Sequence, residues 1–295
     1  MFSGILNVNK EEGISSAKVV SLVRRALNMK KVGHTGTLDL EAGGVLPIVI
    51  GKATRVSDYM MDKDKEYVTE LILGKKTDTM DRAGKLIGYS DKIVSKDEFL
   101  KILDKYKGEI RQIPPMYSAL KVDGKKLYDL ARDGIEVERK ERIVTIYDLD
   151  LIDFDFPKAI IKVRCSKGTY IRSLVDDIGE DLKTYAFVNK LTRTRVGKFK
   201  IEEAIKSEDI LEVAREELLV KLMPIDYALE NFIKIDLEKT YLRPLINGQI
   251  CEVYQNHENL IRVYVEDEFV GLGKITEKDR KYFLKMEKVF YDRKD

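Results

Sequence analysis

One histidine and one aspartate stand close together on a segment rich in glycine and threonine. His34 and Asp39 belong to the run Gly33-His34-Thr35-Gly36-Thr37-Leu38-Asp39, which precedes the apolar stretch 45–50. Asp39 is the first acid after Glu12, and five lysines and arginines lie between the two. Nearby positive charge favours an ionised carboxylate, so Asp39 could act as a nucleophile or a general base. The alternative is an ordinary turn, with Asp39 capping the backbone and His34 on the surface.

Basic residues are segregated along the chain. The stretches 13–38, 158–175 and 182–200 contain sixteen lysines and arginines and no acid, whereas the whole chain carries a net charge of +2. The remainder therefore carries a net charge of −14. If the three stretches meet in space, they form a positive face suited to neutralising phosphates. The alternative is a set of unrelated solvated faces.

Composition excludes several classes of protein. A chain of 295 residues, 44% hydrophobic and 35% charged, is long enough for about two domains and too apolar for wholesale disorder. Two cysteines and two histidines cannot build a disulfide framework or a usual Cys/His zinc site. No apolar run approaches the ~20 residues of a membrane span, and the first residues lack the features of a signal peptide. We expect a reduced, cytoplasmic protein without membrane contact.

Strand and helix patterns mix without a regular βαβ rhythm, which predicts an α+β fold. The stretches 5–8, 45–50 and 67–73 have the pattern of buried strands. Helices are predicted after Ser15, after the capping box that starts at Ser95, and over residues 170–182. We expect the second of these helices to be closed by Gly108.

The last part of the chain has a different character. Short β-rich segments at 260–265 and 269–275 predict a small β module, and Gly271 and Gly273 within it indicate a bulge or a close backbone approach. The predicted domains are therefore 1–232 and 233–295. Two acids, Asp78 and Asp81, could hold a metal, but a capped turn is favoured because no third ligand stands at a recognisable spacing.

Several blocks in chain order resemble the TruB family of tRNA pseudouridine synthases. The run 33–39 continues into Gly44-Val45-Leu46-Pro47-Ile48-Val49-Ile50-Gly51-Lys52-Ala53-Thr54, and the further matching blocks are Lys65-Glu66-Tyr67, Thr77–Asp81, Pro114–Lys121, Gly124–Tyr128 and Cys165–Leu174. The resemblance spans roughly residues 3–200. Two segments depart from the usual family pattern. Leu40 replaces a proline and Gly43 a threonine or serine, and Asn9-Lys10-Glu11 stands where Asp-Lys-Pro is usual.

The resemblance implies a pseudouridine synthase fold, in which helices flank a mixed, mainly antiparallel central sheet and a small PUA-like β domain follows. It implies isomerisation of the T-loop uridine at position 55 of tRNA, after that uridine has been flipped out. No cofactor and no metal are expected, since the reaction exchanges no electrons and imports no group. The expected partner is tRNA, held at the T-arm and on the acceptor side, and we expect a monomer without an obligate protein partner.

The resemblance also implies roles for individual residues. Asp39 is the predicted catalytic residue, acting on the base at C6 or on the sugar at C1′ or C2′. Five residues are predicted to bind the substrate, and five basic residues are candidates for phosphate contacts. The first set is His34, Tyr67, Tyr170, Arg172 and Leu191, and the second set is Lys10, Lys121, Lys190, Arg193 and Arg195.

Within the first set, His34 would fill the gap left by the flipped base, Tyr67 would stack on that base, and Arg172 would pair with Asp39. The alternatives are a surface histidine, a core tyrosine and an exposed helical arginine. Two other functions stay open at this point. One is a tRNA-binding or RNA-folding protein that has lost catalysis, and the other is a nucleoside hydrolase that uses Asp39 with a second carboxylate.

Overall fold

The computed structural model describes residues 2–118, 120–122 and 124–291, and its fold is α+β as predicted. The strands before residue 207 are β1 (Gly4–Lys10), β2 (Val32–His34), β3 (Ala42–Ile50), β4 (Lys65–Leu73), β5 (Lys75–Thr77), β6 (Leu86–Tyr89), β7 (Gly108–Gln112), β8 (Lys121–Val122), β9 (Lys125–Lys126), β10 (Arg142–Asp155), β11 (Lys158–Cys165), β12 (Ala186–Val196), β13 (Phe199–Lys200) and β14 (Ile205–Lys206).

Within these described residues, ten of the strands form one central sheet, in the order β14-β1-β3-β12-β4-β11-β10-β7, with β2 beside β3 and β13 beside β12. The pairs β1–β14 and β3–β12 are parallel, and the remaining pairs are antiparallel. The predicted mixed, mainly antiparallel sheet is therefore confirmed. Strands β5 and β6 form a separate hairpin, as do β8 and β9.

The middle strand of the sheet sets the register that the site depends on. β12 runs parallel to β3 on one side and antiparallel to β4 on the other. Leu191 is opposite Ala42 and Thr69, and Arg193 is opposite Gly44 and Tyr67. Because β3 is buried along its whole length, the start of β3 is rigidly fixed beside β12.

The helices are α1 (Ser16–Leu27), α2 (Ser57–Met61), α3 (Lys96–Lys105), α4 (Leu127–Arg132), α5 (Ile171–Asp181), α6 (Arg215–Val220) and α7 (Leu242–Ile246). The predicted caps are confirmed, since the Ser15 hydroxyl accepts from the Lys18 amide at 3.1 Å and the Ser95 hydroxyl accepts from the Glu98 amide at 3.2 Å. The predicted end of α3 is wrong, because the helix stops at Lys105 and Gly108 begins β7. Among the described helices, none combines the length and the apolar character needed to cross a bilayer.

A second, curled sheet follows, and its strands are β15 (Lys234–Leu237), β16 (Cys251–Val253), β17 (Ile261–Val265), β18 (Glu268–Lys278) and β19 (Lys281–Val289). Over the described residues their order is β15-β17-β18-β19-β16. The predicted close approach at Gly271 is confirmed, because a Cβ atom there would lie 2.0 Å from the carbonyl oxygen of Lys288. A bulge falls between Leu272 and Gly273, as the glycine pattern predicts.

A buried apolar seam joins the two sheets. Leu272 and Phe290 from the C-terminal part belong to the same hydrophobic cluster as Val45 and Val49 of β3. At the same seam, Arg55 Nη1 donates to the Val289 carbonyl at 2.9 Å. The predicted boundary between 232 and 233 lies just before β15, and the C-terminal sheet packs directly on the sheet that carries the site.

Candidate active site

Asp39 lies in the loop between β2 and β3, and its carboxylate forms an ion pair with Arg172. The Nη2 atom of Arg172 lies 2.8 Å from Oδ2 of Asp39. The side chain of Asp39 is 43% exposed, whereas that of Arg172 is only 5% exposed. One carboxylate oxygen is therefore fixed by a buried cation while the side chain stays open to solvent, a geometry that suits a group that must reach a bound molecule.

Arg172 stands in the first turn of α5, and its guanidinium joins three separate segments. Besides Asp39, it donates to the carbonyl oxygen of Thr79 at 3.1 Å and to that of Tyr117 at 2.7 Å. Its Nη1 atom also lies 3.7 Å from Oδ2 of Asp81. Such a set of partners uses the planar fork of arginine, which an ammonium group cannot reproduce.

A cavity of about 100 Å³ opens beside Asp39. It brings together most of the residues predicted to act on the substrate, and its lining is Thr37, Leu38, Asp39, Ala42, Tyr67, Thr169, Tyr170, Ile171, Arg172 and Leu191. The lining is mainly aromatic and aliphatic, with two threonines and one charged pair, Asp39 with Arg172. A site that receives a flat, flipped base needs apolar walls and a few placed polar groups, and this cavity has both.

Tyr67 and Leu191 come to the cavity from the neighbouring strands β4 and β12. Tyr67 is 9% exposed and lies on the buried face of β4, and Leu191 is 8% exposed. Burial raises the pKa of the Tyr67 hydroxyl, so the phenol stays neutral at physiological pH. The two side chains thus line the cavity with a ring and an aliphatic surface.

Tyr170 caps the start of α5 and is held there by Gln112 at the end of β7. The amide oxygen of Gln112 accepts from the Tyr170 N–H at 2.8 Å, and its amide nitrogen donates to the Tyr170 carbonyl at 3.0 Å. Burial raises the pKa of the Tyr170 hydroxyl as well. Gln112 is 1% exposed, and nothing in the sequence indicates its role because no local pattern links two residues 58 positions apart.

His34 ends β2 and does not line the cavity. Its Nδ1 atom accepts from the N–H of Gly36 at 3.4 Å. Burial and, second, the positive charge of Arg193 lower the pKa of the imidazole, so His34 is neutral at pH 7. Its predicted insertion into the space of the flipped base stays a prediction.

The loop after Asp39, where the sequence departs from the family pattern, is tied down by backbone groups. The amide of Ala42 donates to the Asp39 carbonyl at 3.2 Å, and the amide of Gly13 donates to the Leu40 carbonyl at 2.8 Å. Gly44, with φ +106, admits no side chain because a Cβ atom would lie 2.2 Å from the Arg193 carbonyl oxygen. The loop keeps a defined shape despite its changed residues.

Two of the five candidate phosphate contacts are buried. Lys10 has no exposed surface, and its ammonium donates to the carbonyls of Glu11 at 2.9 Å, Ile14 at 2.7 Å and Leu40 at 3.4 Å. Burial lowers the pKa of Lys10 to about 8. Arg193 is 3% exposed. The predicted phosphate contacts of Lys10 and Arg193 are therefore wrong, because both cations are enclosed beneath the loop.

The buried Arg193 donates hydrogen bonds to the backbone on both sides of Asp39. Its Nε atom donates to the Val45 carbonyl at 2.8 Å, and its Nη2 atom donates to the Gly36 carbonyl at 3.1 Å. It therefore ties the turn before Asp39 to the strand after it. The hydrogen bonds to these carbonyls offset the cost of burying the cation, and they do so only while the carbonyls stay in place.

The other three candidate phosphate contacts differ in exposure and in their partners. Arg195 is half-buried, pairs with Asp64 at 2.9 Å and donates to the Gly197 carbonyl at 2.7 Å, and its predicted phosphate contact stays a prediction. Lys190 is exposed on β12 and has no ion pair among the described residues. Lys121 begins β8, but its side chain lies outside the part of the structure that is described.

The acid-free stretches do not form one uniformly positive face. Strands β11 and β12 carry the second and third stretch and flank β4, yet many of their cations pair with acids from elsewhere in the chain. These pairs are Lys162 with Asp150, Arg164 with Asp64 and Asp148, Lys167 with Asp62, Arg195 with Asp64, and Lys198 with Glu230. Part of the positive charge of the second and third stretches is thus offset by acids from elsewhere in the chain.

The turn that carries Asp78 and Asp81 is a capped turn, as predicted. Oδ1 of Asp78 accepts from the amide of Lys85 at 2.8 Å, and Oδ1 of Asp81 accepts from the amide of Ala83 at 3.1 Å. No group of three or more side chains suited to a metal occurs in the described ranges. Asp81 also approaches Arg172, a contact that a pair of acids on a turn does not indicate.

Two family models together match most of the chain. The model for the TruB family pseudouridylate synthase (N terminal domain) matches residues 24–171, and that for the tRNA pseudouridylate synthase B C-terminal domain matches residues 172–230. Tyr67 and Asp39 fall in the first match, and Arg172 begins the second. The cavity is therefore built from both matched parts.

Curated relatives and solved structures agree with these matches. The tRNA pseudouridine synthase B of Alkaliphilus oremlandii is 44% identical over 286 residues, covering 94% of each chain. That of Clostridium perfringens (strain SM101) is 46% identical over 288 residues, covering 94% of this chain and 96% of the relative.

Among solved structures, a Cbf5-Nop10-Gar1 complex contains a chain that is 27% identical, with a TM-score of 0.76 and coverage of 98% of this chain and 85% of that chain. An H/ACA RNP bound to a substrate RNA containing 2′-deoxyuridine contains one that is 25% identical, with a TM-score of 0.75 and coverage of 99% and 86%. The match extends over both sheets.

Proposed function

The chain belongs to the TruB family and is a tRNA pseudouridine synthase, and on that premise we propose that it isomerises the T-loop uridine at position 55 of tRNA with Asp39 as the nucleophile. The observation that carries this proposal is the exposed Asp39 carboxylate, which is fixed by the buried Arg172 and lines a mainly apolar cavity. A carboxylate in that position can reach a ring that enters the cavity.

The reaction is an internal rearrangement. The bond from C1′ to N1 breaks, the uracil turns, and C5 bonds to C1′. C5 then loses its proton and N1 gains one, so the atoms and electrons of the nucleotide balance without a redox partner. A carboxylate nucleophile could form its transient bond with C6 of the base or with C1′ of the sugar, and Asp39 suits either course.

The uridine must leave its stack to reach Asp39. Tyr67 supplies an aromatic face for the extruded base, while Tyr170 and Leu191 close the sides of the cavity. His34, at the end of β2 and five residues before Asp39, is proposed to take the place of the flipped base in the stack, and its neutral imidazole suits stacking in RNA. Arg172 holds Asp39 in line with the base throughout.

For partners, we propose tRNA alone, bound by the T-arm at the cavity and by the acceptor side at the C-terminal sheet. The apolar seam at Leu272 and Phe290 holds that sheet fixed against β3, so both contacts are made by one rigid body. The proposed working form is a monomer without an obligate protein partner. Cys165 and Cys251 are free thiols, which suits a cytoplasmic, reducing setting.

Release of tritium from tRNA labelled as [5-³H]uridine tests the proposal, because isomerisation expels the hydrogen of C5 and binding does not. We expect the wild-type chain to release one tritium per tRNA. D39N should lose at least roughly 1,000-fold in rate while its affinity for tRNA stays within about twofold. D104N, at an exposed acid paired with Lys107, is the matched control and should keep full activity.

Turnover by D39N near the wild-type rate would rule out the nucleophile. A wild-type chain that binds tRNA without releasing tritium would favour a binding protein. Release of free uracil would favour a hydrolase. Release that persists in a tRNA lacking uridine 55 would rule out the proposed position.

A further inference from the structure

Arg82 links two loops on either side of Asp39. Its Nε and Nη2 atoms lie 3.1 and 2.9 Å from Oε2 of Glu41, two residues after Asp39. Nη2 also lies 2.9 Å from Oε2 of Glu12, in the connection between β1 and α1. We refer to these three side chains as the Arg82 clasp. Both glutamates are half-buried and share one guanidinium, so the clasp is less screened than an isolated, fully exposed ion pair.

The backbone beneath the clasp is fixed to the central sheet. The amide of Arg82 donates to the Val188 carbonyl of β12 at 2.9 Å, and Asp81 forms a bridge with the same residue. The arginine therefore reaches out from a rigid base. Glu41, by contrast, lies on a loop and follows Leu40, which is 52% exposed, so the clasp holds a part of the loop that is open to solvent.

The turn at 77–82 anchors both partners of the Asp39–Arg172 pair. Thr79 and Asp81 hold the guanidinium of Arg172, while Arg82 holds the loop of Asp39 through Glu41. Arg82, Glu41 and Asp81 also line one narrow crevice together with Asp39 and Arg172. A shift of this loop would change the distance from Asp39 to the base, and a misplacement of about 1 Å can cost 10²-fold in rate.

We propose that Arg82 is a positioning residue, which acts through Glu41 and Glu12 to hold the Asp39 loop in register with Arg172. This inference rests on the proposed function, since its readout is the isomerisation rate. It assigns no contact with substrate to Arg82. The charge of the arginine serves the protein rather than a phosphate, because both of its neighbours are carboxylates that would repel RNA.

Single-turnover tritium release, with enzyme in excess over [5-³H]uridine tRNA and at saturation, tests the inference. We expect R82Q and E41Q each to lower the maximal rate by roughly fivefold to tenfold, with the half-saturating enzyme concentration within about twofold of wild type. The charge exchange R82E/E41R should recover most of the rate, because the relocated guanidinium can pair with the relocated carboxylate and with Glu12.

R164Q is the matched control. Arg164 is also shared by two carboxylates, with Nε 2.9 Å from Asp64 and Nη1 3.4 Å from Asp148, but it lies outside the cavity and the crevice. Its maximal rate should equal that of wild type. An equal loss in R164Q would show a general effect of removing an arginine and would overturn the inference.

Three other results would overturn it. R82Q and E41Q with wild-type maximal rates would show that the clasp is idle. A change confined to the half-saturating concentration would make Arg82 a phosphate contact. A charge exchange that stays as slow as R82Q would show that the pairing is not what matters. In each of these cases the wild-type chain still releases tritium and D39N does not, whereas failure of the proposed function shows in the wild-type chain, in D39N or with the tRNA that lacks uridine 55, whatever the clasp variants do.

Discussion

Replacement of Arg172 by lysine keeps the positive charge and removes the planar guanidinium, which bonds to several groups at once. The guanidinium makes three close contacts, with Asp39 at 2.8 Å, the Thr79 carbonyl at 3.1 Å and the Tyr117 carbonyl at 2.7 Å. An ammonium at the end of a lysine can reach one of these groups well, and so at least one charge-assisted hydrogen bond is lost. Each such bond contributes about 1.5–3 kcal/mol.

The loss divides between catalysis and folding. If the lysine keeps the carbonyls of Thr79 and Tyr117, Asp39 loses its orienting partner, and about 3 kcal/mol corresponds to roughly a 100-fold lower rate. If it keeps Asp39, one of these half-buried carbonyls loses its partner, and the free energy of unfolding falls by about 1–3 kcal/mol. Single-turnover tritium release at saturation measures the first effect, and urea denaturation of the same variant measures the second.

The two effects separate when R172K is assayed well below its unfolding midpoint. R164K, at a half-exposed arginine outside the cavity, is the control and should change neither quantity by more than about 0.5 kcal/mol. If R172K retains both the full rate and the full stability, Arg172 is not the orienting partner of Asp39. In that case the reasoning from its contacts is wrong.

Two further predictions concern the other buried cations. R193M removes the charge that lowers the pKa of His34 while keeping the bulk, so NMR titration should show a raised His34 pKa in R193M and a smaller change in R193K; His257 is the only other histidine and gives an internal reference. An unchanged His34 pKa in R193M would refute this coupling. Because burial lowers the pKa of Lys10 from 10.5 to about 8, the unfolded chain binds more protons between these values, and stability rises with pH in that range. Urea denaturation at pH 7.5 and at pH 10 measures the free energy of unfolding of wild type and of K10M. The value for wild type minus that for K10M should rise by an amount on the order of 2 kcal/mol from pH 7.5 to pH 10, and a constant difference would contradict the prediction.

Helix caps, buried strands and capped turns could be predicted from short stretches of the sequence, because neighbouring residues determine them. The helix cap at Ser15, the strands β3 and β4, and the turn capped by Asp78 were all visible as caps, apolar runs or turn chemistry. The pairing of Asp39 with Arg172 was predicted only through the family resemblance, since nothing in the spacing of residues 133 positions apart indicates a contact. That pairing is present in the structure.

Other features depend on contacts that no local pattern encodes. Gln112 clamps the backbone of Tyr170 across 58 positions, and its own segment contains no sign of this. Strand β12 alternates threonine with basic residues, a pattern that indicates positive charge but does not indicate a strand in the middle of the sheet. Its Arg195 pairs with Asp64, which precedes the neighbouring strand β4 and lies 131 positions away in the chain, and formal charge along the chain carries no information about such a pair.

The errors at Lys10 and Arg193 have one physical cause, which also bears on function. Both cations are buried against backbone carbonyls of the Asp39 loop and of the segments beside it, and a cation taken out of water is tolerated only while those hydrogen bonds persist. Each therefore favours a single conformation of the loop. Positive charge next to Asp39 holds the protein in shape instead of binding phosphate. Substitutions at these two positions should consequently lower the rate of isomerisation, whereas affinity for RNA should depend on exposed cations such as Lys190.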